Sequence, residues 1–181
     1  MKKLISIIEA ISLLSGRIAA LLLIPLTFAM VYEVISRYVF DAPTSWAFEI
    51  SYMLMGSIFV LGLPYCLRNN AHVNVDFAQN HLPLRVVACI EIVAYCAMTM
   101  LLFWLTLALA DSVVRAVRTW EGSGLSAWNP LVWPFRLVYT AGFALFGLQM
   151  FGKVLEAILK VLGGSPPAHP EVTIDEKAGA A

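Results

Sequence analysis

Glu33 and Arg37, four residues apart near the end of a long apolar stretch, are the first residues of this chain able to do chemistry. On a helix that spacing places both side chains on one face, where a carboxylate and a guanidinium can pair. Glu49 follows across a short polar turn, and its place in the first turn of the next apolar stretch suits the helix dipole. An unpaired acid at such depth could bind cation and proton in turn, as a transport or relay site does. An acid held by arginine titrates poorly and serves instead to join helices. We therefore expect Glu33, Arg37 and Glu49, with Trp46 beside them, to form an interhelical clamp.

Glu91 stands alone inside a third apolar stretch, and the expectation for it is structural: contact with a neighbouring helix, or a reach back to Arg85. Arg68, His72, Asn74 and Asp76 occupy a short polar connection that His81 closes. These histidines lie outside the apolar stretches, so none is placed to hold a haem between helices. Their spacing lacks the ligand discipline of a metal site. No nucleophile sits beside a base, no glycine-rich phosphate loop occurs and no HExxH is present, so neither an enzyme nor a cofactor is expected. Cys66, Cys89 and Cys96 form no CxxC and are expected to act as small apolar packing residues.

The elements that position these residues follow from hydropathy. Four stretches, about Ile18 to Ser36, Ile50 to Leu67, Val86 to Ala110 and Leu137 to Gly152, approach the ~20 apolar residues that cross ~30 Å of hydrocarbon. With 60% hydrophobic and only 13% charged residues, too little polar sequence remains to cover a soluble domain of this size. Twelve basic and twelve acidic residues cancel, which removes the field that nucleic-acid binding needs. The expected fold is an all-α integral membrane protein with four transmembrane helices, at about 18–40, 46–67, 85–110 and 131–155. A separate N-terminal amphipathic helix over 1–16 is expected in the membrane interface, because Leu4, Ile7, Ile8, Ile11 and Leu14 oppose Lys2, Lys3, Ser6, Glu9 and Arg17. The alternative is that this segment begins the first span early. Residues 17–160 make the transmembrane domain, and the Gly/Pro-rich sequence over 161–181 is expected to be a disordered tail.

Lysine and arginine set the orientation. With the amino terminus inside, Lys2, Lys3, Arg17, Arg68, Arg85, Lys153, Lys160 and Lys177 face the cytoplasm, against Arg37, Arg115, Arg118 and Arg136 outside. That bias favours both termini in the cytoplasm. Trp46, Trp120, Trp128 and Trp133 then lie at the outer boundary, as an aromatic belt or as a contact surface for a partner.

The run Arg37-Tyr-Val-Phe40, followed by Pro43, Trp46 and Glu49, then Gly62, Arg68, His72-Val-Asn-Val-Asp76 and Leu82-Pro83, resembles the small membrane subunit of the tripartite ATP-independent periplasmic (TRAP) transporters. The likeness covers about residues 17–155, with Phe48 standing where members often carry a second acidic residue. It implies a bacterial inner-membrane protein, embedded in membrane lipids, that accompanies a large membrane subunit on a separate chain. In such systems a periplasmic substrate-binding protein captures an organic acid and the large subunit carries it inward with sodium. The small subunit is a non-catalytic scaffold beside an elevator-like mover. On this likeness Arg37, Trp46 and Glu49 would lock the first two helices on the outer side, and His72 and Asp76 would lock the inner turn. Trp128 to Trp133 would meet the docked binding protein. Two other classes fit the residues alone: a small proton-coupled exporter working as a dimer through Glu33, and, more weakly, a haem-holding membrane anchor.

Overall fold

Apolar sequence in lipid has no water to satisfy its peptide groups, so each long stretch must close its own hydrogen bonds as a helix. A computed structural model describes residues 2–69 and 84–161 of the chain. It contains α1 (Lys2–Val39), α2 (Ala47–Arg68), α3 (Leu84–Thr119) and α4 (Trp133–Val161). All four are long and apolar enough to cross a membrane. Among the described residues the only strand-like pairing is an isolated bridge between Gly122 and Leu131. The protein is thus an all-α, multi-pass membrane protein.

α1 runs for 38 residues without interruption, so residues 2–16 continue into the first span instead of forming a separate helix. At ~1.5 Å per residue it is about 57 Å long, nearly twice the ~30 Å of a hydrocarbon core. Its first turns are held against α4 through a line that begins with Ile5 and Ile8 and continues through Ser12, Ser15 and Ala19, all buried. The more apolar flank with Leu4, Ile7 and Leu14 stays exposed. Beyond the two isoleucines, the small residues Ser12, Ser15 and Ala19 on the buried face admit a close helix approach. α3 likewise outruns the expected end near residue 110. Val113, Val114, Ala116 and Val117 sustain it, and the Asp111 charge pairs with Arg115 one turn on.

The helices alternate in direction, up and down. α4 is the central element: its backbone approaches those of α1, α2 and α3, and half of its span is buried. α1 also packs along α2. The backbone of α3 approaches only α4 among the described residues, and 6% of its span is buried. Two glycines set the spacing. A Cβ at Gly142 would run into the Val60 side chain and come within 3.3 Å of its carbonyl carbon, so α2 and α4 meet there nearly backbone to backbone. A Cβ at Gly16 would fall 2.6 Å from Cγ of Tyr65, which seats that ring against α1. Toward the end where α2 finishes, Leu67, Leu102, Phe146 and Met150 form a buried cluster lined by Leu63, Tyr95 and Phe143.

Candidate functional site

Glu33 is the hub of the end of the bundle that carries the α1–α2 turn. Both Nε and one terminal nitrogen of Arg37 donate to its Oε1, the Nε contact at 2.9 Å. Its Oε2 accepts from the Thr44 amide at 3.0 Å and from the Thr44 hydroxyl. One carboxylate therefore ties its own helix to the connection that leads into α2. The turn itself closes through Ala42, whose amide donates to the Ser36 carbonyl at 3.0 Å while the Ser36 hydroxyl returns a bond to the Ala42 carbonyl at 2.7 Å. Asp41 takes a positive φ of 52° there, a conformation that aspartate tolerates better than branched residues do. α2 begins after Trp46 without a side-chain cap. Thr44, close before the helix, directs its hydroxyl to Glu33. Trp46 stacks on Tyr32 of α1, with ring centroids 5.5 Å apart.

Glu49 lies apart from this network. It is completely buried, and neither carboxylate oxygen has a hydrogen-bond partner among the described residues. Arg37 pairs with Glu33 and leaves Glu49 to the first turn of α2, where the open amides of the helix end carry partial positive charge. The contact between Arg37 and Glu49 expected across the turn is not made, because Glu33 on the same helix face reaches the guanidinium first.

The connection between α3 and α4 is an ordered loop. Arg136, in the first turn of α4, grips Glu121 with two nitrogens at 2.8 and 2.7 Å, and one of them also reaches the Ser112 carbonyl at 3.4 Å. Around that fork the Ser123 amide donates to the Pro130 carbonyl, the Val132 amide to the Glu121 carbonyl and the Gly124 amide to Oδ1 of Asn129. Trp120 and Trp128 are exposed on this loop, and Trp133 is half-buried at the start of α4. The sequence offered no periodic signal for Glu121 and Arg136, which are 15 residues apart.

At the opposite end of the bundle the Ser12 hydroxyl donates to Oε1 of Gln149 at 2.7 Å, both groups buried, and Lys153 pairs with Glu156 at 3.1 Å with each side chain 7% exposed. Gln149 interrupts the fourth apolar stretch, and an amide at that depth signals an interhelical bond that sequence reading could have found. Arg68 ends α2, with a buried Nε that lacks a partner among the described residues. His72 and Asp76 lie outside the described residues. Glu91 falls in α3, and its side chain is outside those described. Cys66 and Cys96 are free and exposed on their helices, not packed inside. No cluster of potential metal ligands occurs among the described residues.

Four long apolar helices, with Glu33, Arg37, Glu121 and Arg136 engaged at their turns, define a multi-pass membrane protein. Residues 26–160 match the family described as tripartite ATP-independent periplasmic transporters, DctQ component. The chain belongs to this family. It is also similar to the sialic acid TRAP transporter permease protein SiaT of Haemophilus influenzae (strain 86-028NP), with 30% identity over 57 residues. That match takes in 32% of the present chain and only 9% of the relative's length.

Proposed function

We propose that this protein is the small permease subunit of a TRAP transporter, a non-catalytic scaffold that partners a large membrane subunit in sodium-driven uptake of an organic acid delivered by a periplasmic binding protein. The observation that carries the reading is the family match over residues 26–160, laid on a bundle whose outer charges are engaged in joining helices. The length of the permease relative beyond the matched segment supports a further membrane chain that supplies the rest of the machinery. Glu33, on which an autonomous exporter would depend, is occupied by Arg37 and Thr44, which favours the scaffold.

In this reading the Glu33, Arg37 and Thr44 network, with Trp46 stacked beside it, fixes the outer hairpin, while His72 and Asp76 fix the inner turn. The rigid loop bearing Trp128, together with Trp133, is the surface offered to the binding protein. The protein lies in the bacterial inner membrane with both termini in the cytoplasm. The test is to purify this chain through a tag, with and without the large subunit, and reconstitute both preparations in vesicles with a supplied binding protein. Sodium-driven uptake is expected only with all three parts. Proton-driven transport by this chain alone would overturn the scaffold in favour of the exporter.

A further inference from the structure

Four of the five tryptophans sit at the outer end, where an indole can keep its ring in the hydrocarbon and its N–H in the polar boundary. Trp104 does not. It falls near the centre of the Ile92–Thr119 span, within the apolar run between Glu91 and Asp111 and about 10 Å along the helix from the nearer of these charges. Trp104 is 70% exposed, and no acceptor meets its indole N–H among the described residues. Its direction on the helix is defined by the packing. Tyr95, Thr99, Leu102, Thr106 and Ala116 make the line that faces α4, with Leu102 and Ala116 buried. At 3.6 residues per turn Trp104 points directly away from that line, in register with Val93, Met100 and Leu107.

We propose that the outer face of α3, centred on Trp104, is the docking surface for a transmembrane helix of the large membrane subunit, which presents a hydrogen-bond acceptor to the indole N–H. The inference rests on the scaffold reading above and adds where the partner sits. Acyl chains offer no acceptor, so an indole aimed into lipid at mid-depth leaves a donor unmet. A helix that brings a hydroxyl, an amide oxygen or an open backbone carbonyl satisfies it. The surroundings suit a protein partner: Met100 and Phe103 are 77% and 64% exposed, and methionine and aromatic side chains are enriched at protein interfaces. The α3 span is also the least buried of the four, and among the described residues the backbone of α3 approaches only that of α4.

The experiment uses the full chain co-expressed with the large subunit, with photoreactive benzoylphenylalanine replacing Trp104, Met100, Phe28 or Phe59 in turn. Phe28 on α1 and Phe59 on α2 are similarly exposed controls. Recovery of the large subunit with the wild-type chain is read first; its absence would sink the scaffold reading itself. Given that recovery, an adduct with the large subunit is expected from Trp104 and Met100. An adduct from Phe28 or Phe59 with none from Trp104, an adduct with a second copy of this chain, or lipid adducts alone would overturn the proposal. W104F keeps the ring and removes the donor, so retention of the large subunit on dilution should weaken by about 3-fold, the scale of one interhelical hydrogen bond in a membrane. Unchanged retention would remove the reason for placing the partner there.

Discussion

Arg136 holds Glu121 as a fork holds a carboxylate, with two parallel bonds, and lysine cannot copy that geometry. The pair is half in solvent, which limits it to ~1 kcal/mol. Arg136→Lys should therefore speed hydrogen exchange at the Ser123 and Val132 amides by about 5-fold, while helix amides stay as they are. Equal protection in both proteins would mean that the backbone bonds alone order the loop. Glu49 calls for the opposite experiment. A buried carboxylate without a hydrogen-bond partner is a cost to the isolated fold, and an apolar residue of similar length relieves it. Glu49→Met should leave the thermal midpoint of the isolated chain in detergent unchanged or higher. A fall of several degrees would show that the carboxylate has a favourable partner after all.

Between elements, the glycine contacts carry the energetics. Gly142→Val asks α2 and α4 to separate against the Val60 backbone, an overpacking of ~1–3 kcal/mol that unfolding in mild detergent would detect as a lower midpoint. Ser12→Ala strands Gln149 between α1 and α4 and should cost about 0.6 to 1.7 kcal/mol by the same measurement. If this substitution is neutral, the long first helix is held by its apolar contacts alone. Much of the element scale was legible beforehand. Hydropathy marks all four long apolar helices, though α1 and α3 run well past the expected bounds, and Glu33 with Arg37 is a pair that spacing alone foretells. The details that escaped have a common cause. The Thr44 bond to Glu33, the loop fork and the Ser12 to Gln149 seam join residues whose distance in sequence carries no period, so only the packed helices bring them together. The N-terminal segment misled for a related reason: its most apolar face is not the face that packs.

For the whole molecule, orientation and length can be tested together. In a variant free of its native cysteines, Lys3→Cys should react with a membrane-impermeant maleimide only from the cytoplasmic side, and Leu125→Cys only from the periplasmic side. Labelling of both from one side would refute the assigned orientation, which rests on the bias of lysine and arginine. Because α1 is about 57 Å long, a substantial part of it stands outside the hydrocarbon or the helix leans steeply across it.

The dependence of α3 on a single neighbour also bears on how the protein is made. Helices leave the ribosome in chain order, so α1 and α2 can pair as soon as both are in the bilayer, but among the described residues the backbone of α3 approaches only that of α4, which follows it. It must wait for α4, whose last residue follows that of α3 by 42 positions, an interval of roughly 2 to 8 s at ~5–20 residues per second. The final helix is then the keystone of biogenesis: its arrival joins an already closed hairpin to a solitary span, and until that moment the nascent chain is two separate objects sharing one membrane.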